Sequence, residues 1–243
     1  MEEFYILLLT FVASLLGTMT GFGSSTVMIP VLLLFFPVPT ALLFSGFVHV
    51  LVDIWEMEFF KEGLHWRLIL FFGIPGMIAS FIGAFFSADV PALLMSRIIG
   101  FVLLGYVGFV FFKSRWKLKA HDGTAVAGGL ISGFFAGAFG LGGAIRSTFL
   151  SFFDLPKRVY LFTAGAVALL IDAIRVIGYW LGGSRFDDFS ILLLLTVIPV
   201  SFLASFVGEE VVDHVPQQYF RVVIAVFIAV VAIKFIFFPD ITI

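Results

Sequence analysis

The chain has 243 residues, of which 61% are hydrophobic and 12% charged, with a net charge of −2. A soluble domain carries about 25% charged residues, so a chain this apolar reads as an integral membrane protein rather than a soluble enzyme or a nucleic-acid binder. There is no cysteine, which excludes disulfides and thiolate metal sites.

The start, "MEEFYILLL", lacks the basic n-region of a signal peptide, so the first segment is expected to be retained. Along the chain, hydrophobic pieces follow at Phe4–Met19, Ser24–Phe36, Thr40–Phe60, Trp66–Phe86 and Pro91–Phe112. A second set follows at Thr124–Phe139, Ala144–Phe153, Val159–Leu181, Phe189–Val207 and Gln217–Phe238. Alternation with a period of two is absent, so helices and not a barrel are expected. The second piece of each set is too short to span comfortably, since a helix rises ~1.5 Å per residue and a bilayer core needs about 20 residues.

The two sets are copies. At an offset of about 119 residues, Gly21 and Gly23 match Gly140 and Gly142, Pro37 matches Pro156, Gly46 matches Gly165 and Asp53 matches Asp172. After a short insertion, Pro75 matches Pro199 and Arg97 matches Arg221. The division expected is 1–119 and 120–243. An odd number of crossings per copy inverts the second relative to the first, an architecture common among secondary transporters. Charge supports it. With Lys113–Lys119 in the cytoplasm, Lys61, Arg67, Lys157 and Arg158 fall on the same side, while Glu2, Glu3, Asp89, Arg185, Asp187 and Asp188 face out. Glu209, Glu210 and Asp213 fall inside, which the rule barely penalises. Both termini are then outside. Re-entrant short pieces would change the count.

Chemistry concentrates at two breaks, "GTMTGFGSS" (Gly17–Ser25) and "GAFGLGGAIR" (Gly137–Arg146). Glycines there let a helix stop and restart within the membrane, and a restarting helix presents free N–H groups that suit an anion. This makes Gly21, Gly23, Ser24, Ser25, Gly140, Gly142 and Gly143 candidate substrate contacts. The alternative is close helix packing, which fits Gly129, Gly133 and Gly137 well. Arg146, about one turn into the short piece beside Ser147, suits an oxyanion through its five-donor fork. Its alternatives are an ion pair with Asp172 or Asp53 and snorkelling to an interface. Asp172 and Arg175 are three residues apart on one face, so a local pair is expected. His49 and Asp53 are four apart, a pairing that can carry a proton. These four are candidates for coupling or gating, against a purely structural hydrogen-bond network. Glu56 and Glu58 are expected near the interface. Trp55, Trp66, Trp116 and Trp180 fall near segment ends, as an interfacial belt does. There is no H-E-x-x-H, Walker A or CxxC motif, so no enzyme activity, catalytic residue, metal or cofactor is expected.

Taken together, these residues resemble the TauE/SafE family of sulfite exporters and anion permeases. In the first copy the resemblance rests on "GFGSSTVMIPVLLLFFPVPTALLFS" and "GLHWRLILFFGIPGMIASFIGAFF". In the second it rests on "GLGGAIRSTFLSFFDLPKRVYLFTA", "IGYWLGG" and "IPVSFLASFVG". The resemblance implies transport of sulfite, thiosulfate, sulfoacetate or another sulfonate, coupled to an ion gradient. Ser24 and Ser25 depart from the fuller glycine run of the family, and His49, Asp53, Asp172 and Arg175 stand where charge is unusual. The expectation is an all-α, pseudo-symmetric, multi-pass plasma-membrane transporter of two inverted repeats. Its partners are a small anion and the lipid bilayer, and a homo-oligomer is compatible with this reading. A carboxylate permease, an anion channel and a non-transporting membrane scaffold are the alternatives.

Overall fold

The computed structural model describes residues 2–20, 23–61, 63–112, 119–211 and 229–238, and every regular element among them is helical. Helix α1 (Glu2–Thr20) is followed across the first break by α2 (Ser25–Leu32) and, after a turn at Pro37, by α3 (Val38–Phe59). A short α4 (Trp66–Leu68) runs through a π turn (Ile69–Gly73) into α5 (Ile74–Asp89). The widened turn precedes Pro75, which has no N–H to donate to the preceding turn and whose ring crowds it. Then come α6 (Ala92–Phe112), α7 (Asp122–Phe139), α8 (Gly143–Ser151), α9 (Lys157–Leu181) and α10 (Ile191–Val211), with a further helix at 229–237.

Among the described residues, four stretches are long and apolar enough to cross a membrane: Val38–Phe59, Trp66–Ser87, Arg158–Leu181 and Ile191–Val211. Their exposed side chains are large and apolar, among them Ile78, Ile82, Leu192 and Leu203. This is the surface of a membrane protein, where the solvent for the outer face is hydrocarbon.

Contacts distinguish two ends. At one, Ser190 donates to Glu3 at 2.6 Å, Thr40 donates to Asp188 at 2.9 Å, and Phe36 packs on Phe189. At the other, Arg67 donates to both oxygens of Asp122 at 2.7 and 2.8 Å, and the His65 N–H donates to Thr163 Oγ1 at 3.1 Å. Helices α3 and α10 run from the Glu3 end to the Arg67 end, while α5, α7 and α9 run the other way. The two short helices double back. The start of α8 lies against Ser132 and Ala136 of α7, and Phe149 near its end lies against Gly128, nearer the start of α7. Thus α7–α8 is a hairpin open towards the Arg67 end. On the other side, Ser24 folds back on Gly17, so α1–α2 is a hairpin open towards the Glu3 end.

The tightest seam joins α5 to α7. A Cβ on Gly133 would lie 2.7 Å from Gly76 Cα, and one on Gly137 would lie 2.8 Å from the Ser80 carbonyl carbon. A Cβ on Gly129 would lie 3.0 Å from the Phe72 carbonyl carbon. Backbone meets backbone, so the close-packing role read from Gly129, Gly133 and Gly137 is the observed one. Where α4 meets α7, the hydrogen bonds from Arg67 hold the exposed Asp122 carboxyl below the usual carboxylate range.

Candidate functional site

Gly140 ends α7 in the left-handed region at φ +69°, where a Cβ is disfavoured. Its N–H donates to the Ala136 carbonyl at 2.8 Å and the Leu141 N–H to the Phe135 carbonyl at 3.2 Å, which closes the helix end. Gly23 is also left-handed, at φ +83°, and its Cα sits against the imidazole of His49 with no room for a side chain. Gly142 lies against the α7 backbone, and Gly143 opens α8. Gly21 lies outside the described residues, as do 113–118 with Trp116, and Asp213 and Arg221.

The two breaks meet at Arg175. Its side chain is fully buried in the middle of α9. From there it donates to Ser25 Oγ on α2 at 2.8 Å and to the Ala136 carbonyl on α7 at 3.4 Å. It also forms the expected ion pair with Asp172. The second arginine, Arg146 on α8, is 5% exposed and reaches the other Asp172 oxygen at 3.6 Å. Of the readings open for Arg146, the Asp172 pair is therefore present in this state. Its Nε has no hydrogen-bond partner. Ser147 donates to the Ala144 carbonyl of its own helix at 3.0 Å.

His49 joins the halves from α3. Its Nδ1 lies 3.0 Å from Arg175 Nη2, 2.9 Å from Ser25 Oγ and 3.6 Å from Asp172. A guanidinium only donates, so Nδ1 accepts and the ring proton sits on Nε2. Nε2 faces Asp53 at 3.6 Å. Asp53 is 1% exposed, and its second oxygen has no hydrogen-bond partner. Both arginines pair with Asp172, whereas among the described residues Asp53 has His49 as its ion-pair partner and lies beside the Asp172 carboxyl, with no arginine paired to it.

All four coupling or gating candidates thus form one buried network with Ser25 and Arg146, while Ser24 is buried beside it with an unpartnered hydroxyl. Two residues outside the sequence-level set belong to the same neighbourhood. Tyr179 donates to the Ala136 and Gly137 carbonyls at 3.2 and 2.6 Å, bracing the end of α7. Glu56 is half-buried one turn beyond Asp53. Helical spacing would have found both: Tyr179 is four residues after Arg175, and Glu56 three after Asp53.

The ligand atoms of His49, Asp53 and Asp172 lie within 4.8 Å of one another, a spacing a cation could use. Two guanidiniums already share Asp172, so a divalent ion would face two fixed positive charges at short range. The arrangement suits charge compensation and anion reading better than metal binding.

Among curated proteins and solved structures, nothing matches this chain. The sequence profile of the sulfite exporter TauE/SafE family, by contrast, matches residues 6–235. That span takes in both breaks, every buried residue of the network and the apolar helices that carry them. The chain therefore belongs to the TauE/SafE family and is a membrane transporter of the sulfite and anion exporter type.

Proposed function

We propose that this protein moves a small sulfur oxyanion or organosulfonate by alternating access, together with a proton, across the plasma membrane. The observation that carries the reading is the buried network in which α2 and α3 from the first copy meet α8 and α9 from the second. Two arginines and two aspartates cancel formally around a neutral histidine. One added proton leaves a single positive charge, which matches one monovalent anion. Asp53 is the acid without an arginine partner and is the proton carrier, with His49 between it and Arg175. Arg146 and the hydroxyls of Ser24 and Ser25 read the anion, and Ser147 joins when its hydroxyl leaves the Ala144 carbonyl. The glycines at Gly23, Gly142 and Gly143, at the starts of α2 and α8, let backbone N–H groups approach it, and the turn at Gly140 places α8 to do so.

The division at 1–119 and 120–243 into inverted repeats is supported by the two hairpins, which open towards opposite ends. A helix that doubles back cancels the crossing before it. Re-entry therefore lowers the number of crossings per copy without changing its odd parity. The burial of the entire network favours a transporter over an open channel.

Flux in proteoliposomes tests the reading across sulfite, thiosulfate, sulfoacetate and acetate, with and without an imposed proton gradient. Saturable flux of the sulfur anions, accumulated by the gradient in wild type and not in Asp53→Asn, is expected. Preference for acetate would move the substrate to the carboxylates, and accumulation persisting in Asp53→Asn would end the coupling role of that residue.

A further inference from the structure

His49, Asp53 and Glu56 form a single stripe on α3, at intervals of four and three residues, which places them on one face about one turn apart. The first two are sealed, whereas Glu56 is half-buried and nearer the Arg67 end. Towards the Glu3 end the same helix offers Leu42 and Phe44, both buried, and α2 offers Ile29 and Leu32. Ser45, one turn before His49, is also buried there, so the stripe is titratable on one side of His49 and without a titratable group on the other.

We propose that Glu56 is the port through which protons pass between Asp53 and water at the Arg67 end. The proposal rests on the proton-coupled reading above and assigns its route. Glu56 takes a proton from water, passes it to the Asp53 carboxylate one turn away, and is left ionised to take another. The groups facing it are few. Asp53 on its own helix and Arg146 on α8 interact with it electrostatically, Thr18 on α1 interacts through its hydroxyl, and Gly165 of α9 lies beside it. Asp53 in turn faces His49, Asp172, Arg175 and Arg146. Gly165 brings α9 close to the stripe: a Cβ built there would start 3.7 Å from the Glu56 Cβ. Arg146, between Asp172 and Glu56, makes the passage responsive to the anion. Once it turns to an anion it no longer compensates the two acids beside it, and a proton on Asp53 restores the balance.

The test uses the full chain in proteoliposomes with radiolabelled sulfoacetate and, separately, thiosulfate. Exchange at equal pH and accumulation under an imposed proton gradient are measured for wild type, Glu56→Gln and Glu56→Asp. Exchange in Glu56→Gln is expected within about twofold of wild type while accumulation falls at least tenfold, a loss typical of removing a positioned proton-transfer group. Glu56→Asp is expected to restore accumulation. Full accumulation in Glu56→Gln, or joint loss of exchange and accumulation that Glu56→Asp does not repair, overturns the port and leaves the transport reading standing. A wild type that exchanges but never accumulates overturns the coupled reading itself, and one that exchanges neither anion overturns the substrate assignment.

Discussion

Arg175 and Arg146 carry the same charge in one buried network but do different work. Arg175 is fully buried and tied to Ser25, His49, Asp172 and the Ala136 carbonyl, so its fork is spent on holding the breaks together. Arg146 has one ion pair and an unpartnered Nε. Arg175→Ala would remove the direct partner of Asp172 and release Ser25, His49 and the Ala136 carbonyl together, and a broken buried pair costs about 3–5 kcal/mol. A lowered Tm and poor yield in detergent are the expected outcomes. Arg146→Ala is expected to retain the fold and lose sulfoacetate binding by calorimetry. Arg146→Lys keeps charge without the planar fork and should weaken binding by ~1–2 kcal/mol. Binding unchanged in a folded Arg146→Ala protein would remove Arg146 from the anion site.

Among the elements, α5 and α7 depend most on what is missing from their surfaces. Gly133→Ala would drive a methyl into the Gly76 backbone, which cannot rotate away as a side chain can. Overpacking of this kind costs about 1–3 kcal/mol. At Gly165 a Cβ would make ordinary contacts, with the flexible Met57 at 3.4 Å, the Glu56 Cβ at 3.7 Å and the Asp53 carbonyl oxygen at 3.8 Å. Thermal stability in detergent should therefore fall for Gly133→Ala and hold for Gly165→Ala. A gain in both variants, which helix propensity alone would give, would show that the seam does not set the result. The α4–α7 contact obeys a separate rule. A carboxyl with a lowered native value contributes stability above its unfolded value and loses it as pH falls through the native one. The Arg67–Asp122 link consequently persists at neutral pH and loosens only in acid.

For the whole molecule, the arrangement of ends is the claim most exposed to experiment. The chain has no cysteine, so single introduced thiols report accessibility without background. Ser184 lies in the turn after α9, at the Glu3 end, and Lys119 lies just before α7, at the Arg67 end. Lys119→Cys should react with an impermeant maleimide only from the cytoplasmic face, and Ser184→Cys only from the opposite one. Labelling of both from one side would break the inverted arrangement.

Composition and order alone determined much of this protein. Hydrocarbon surface requires internally satisfied backbone, so helices were readable. Local spacing also determined the pairs within one helix, His49 with Asp53 and Asp172 with Arg175, because three and four residues always share a face. Tertiary structure decided what lies across helices. That Arg175 reaches Ser25 on α2, that Arg146 shares Asp172, and that Gly23 abuts His49 depend on α2 and α8 doubling back. Helical periodicity fixes which residues share a face of one helix, and carries nothing about which face of another helix will meet it. The same limit explains Gly142, whose role beside the α7 backbone follows from a hairpin that only long-range packing can close.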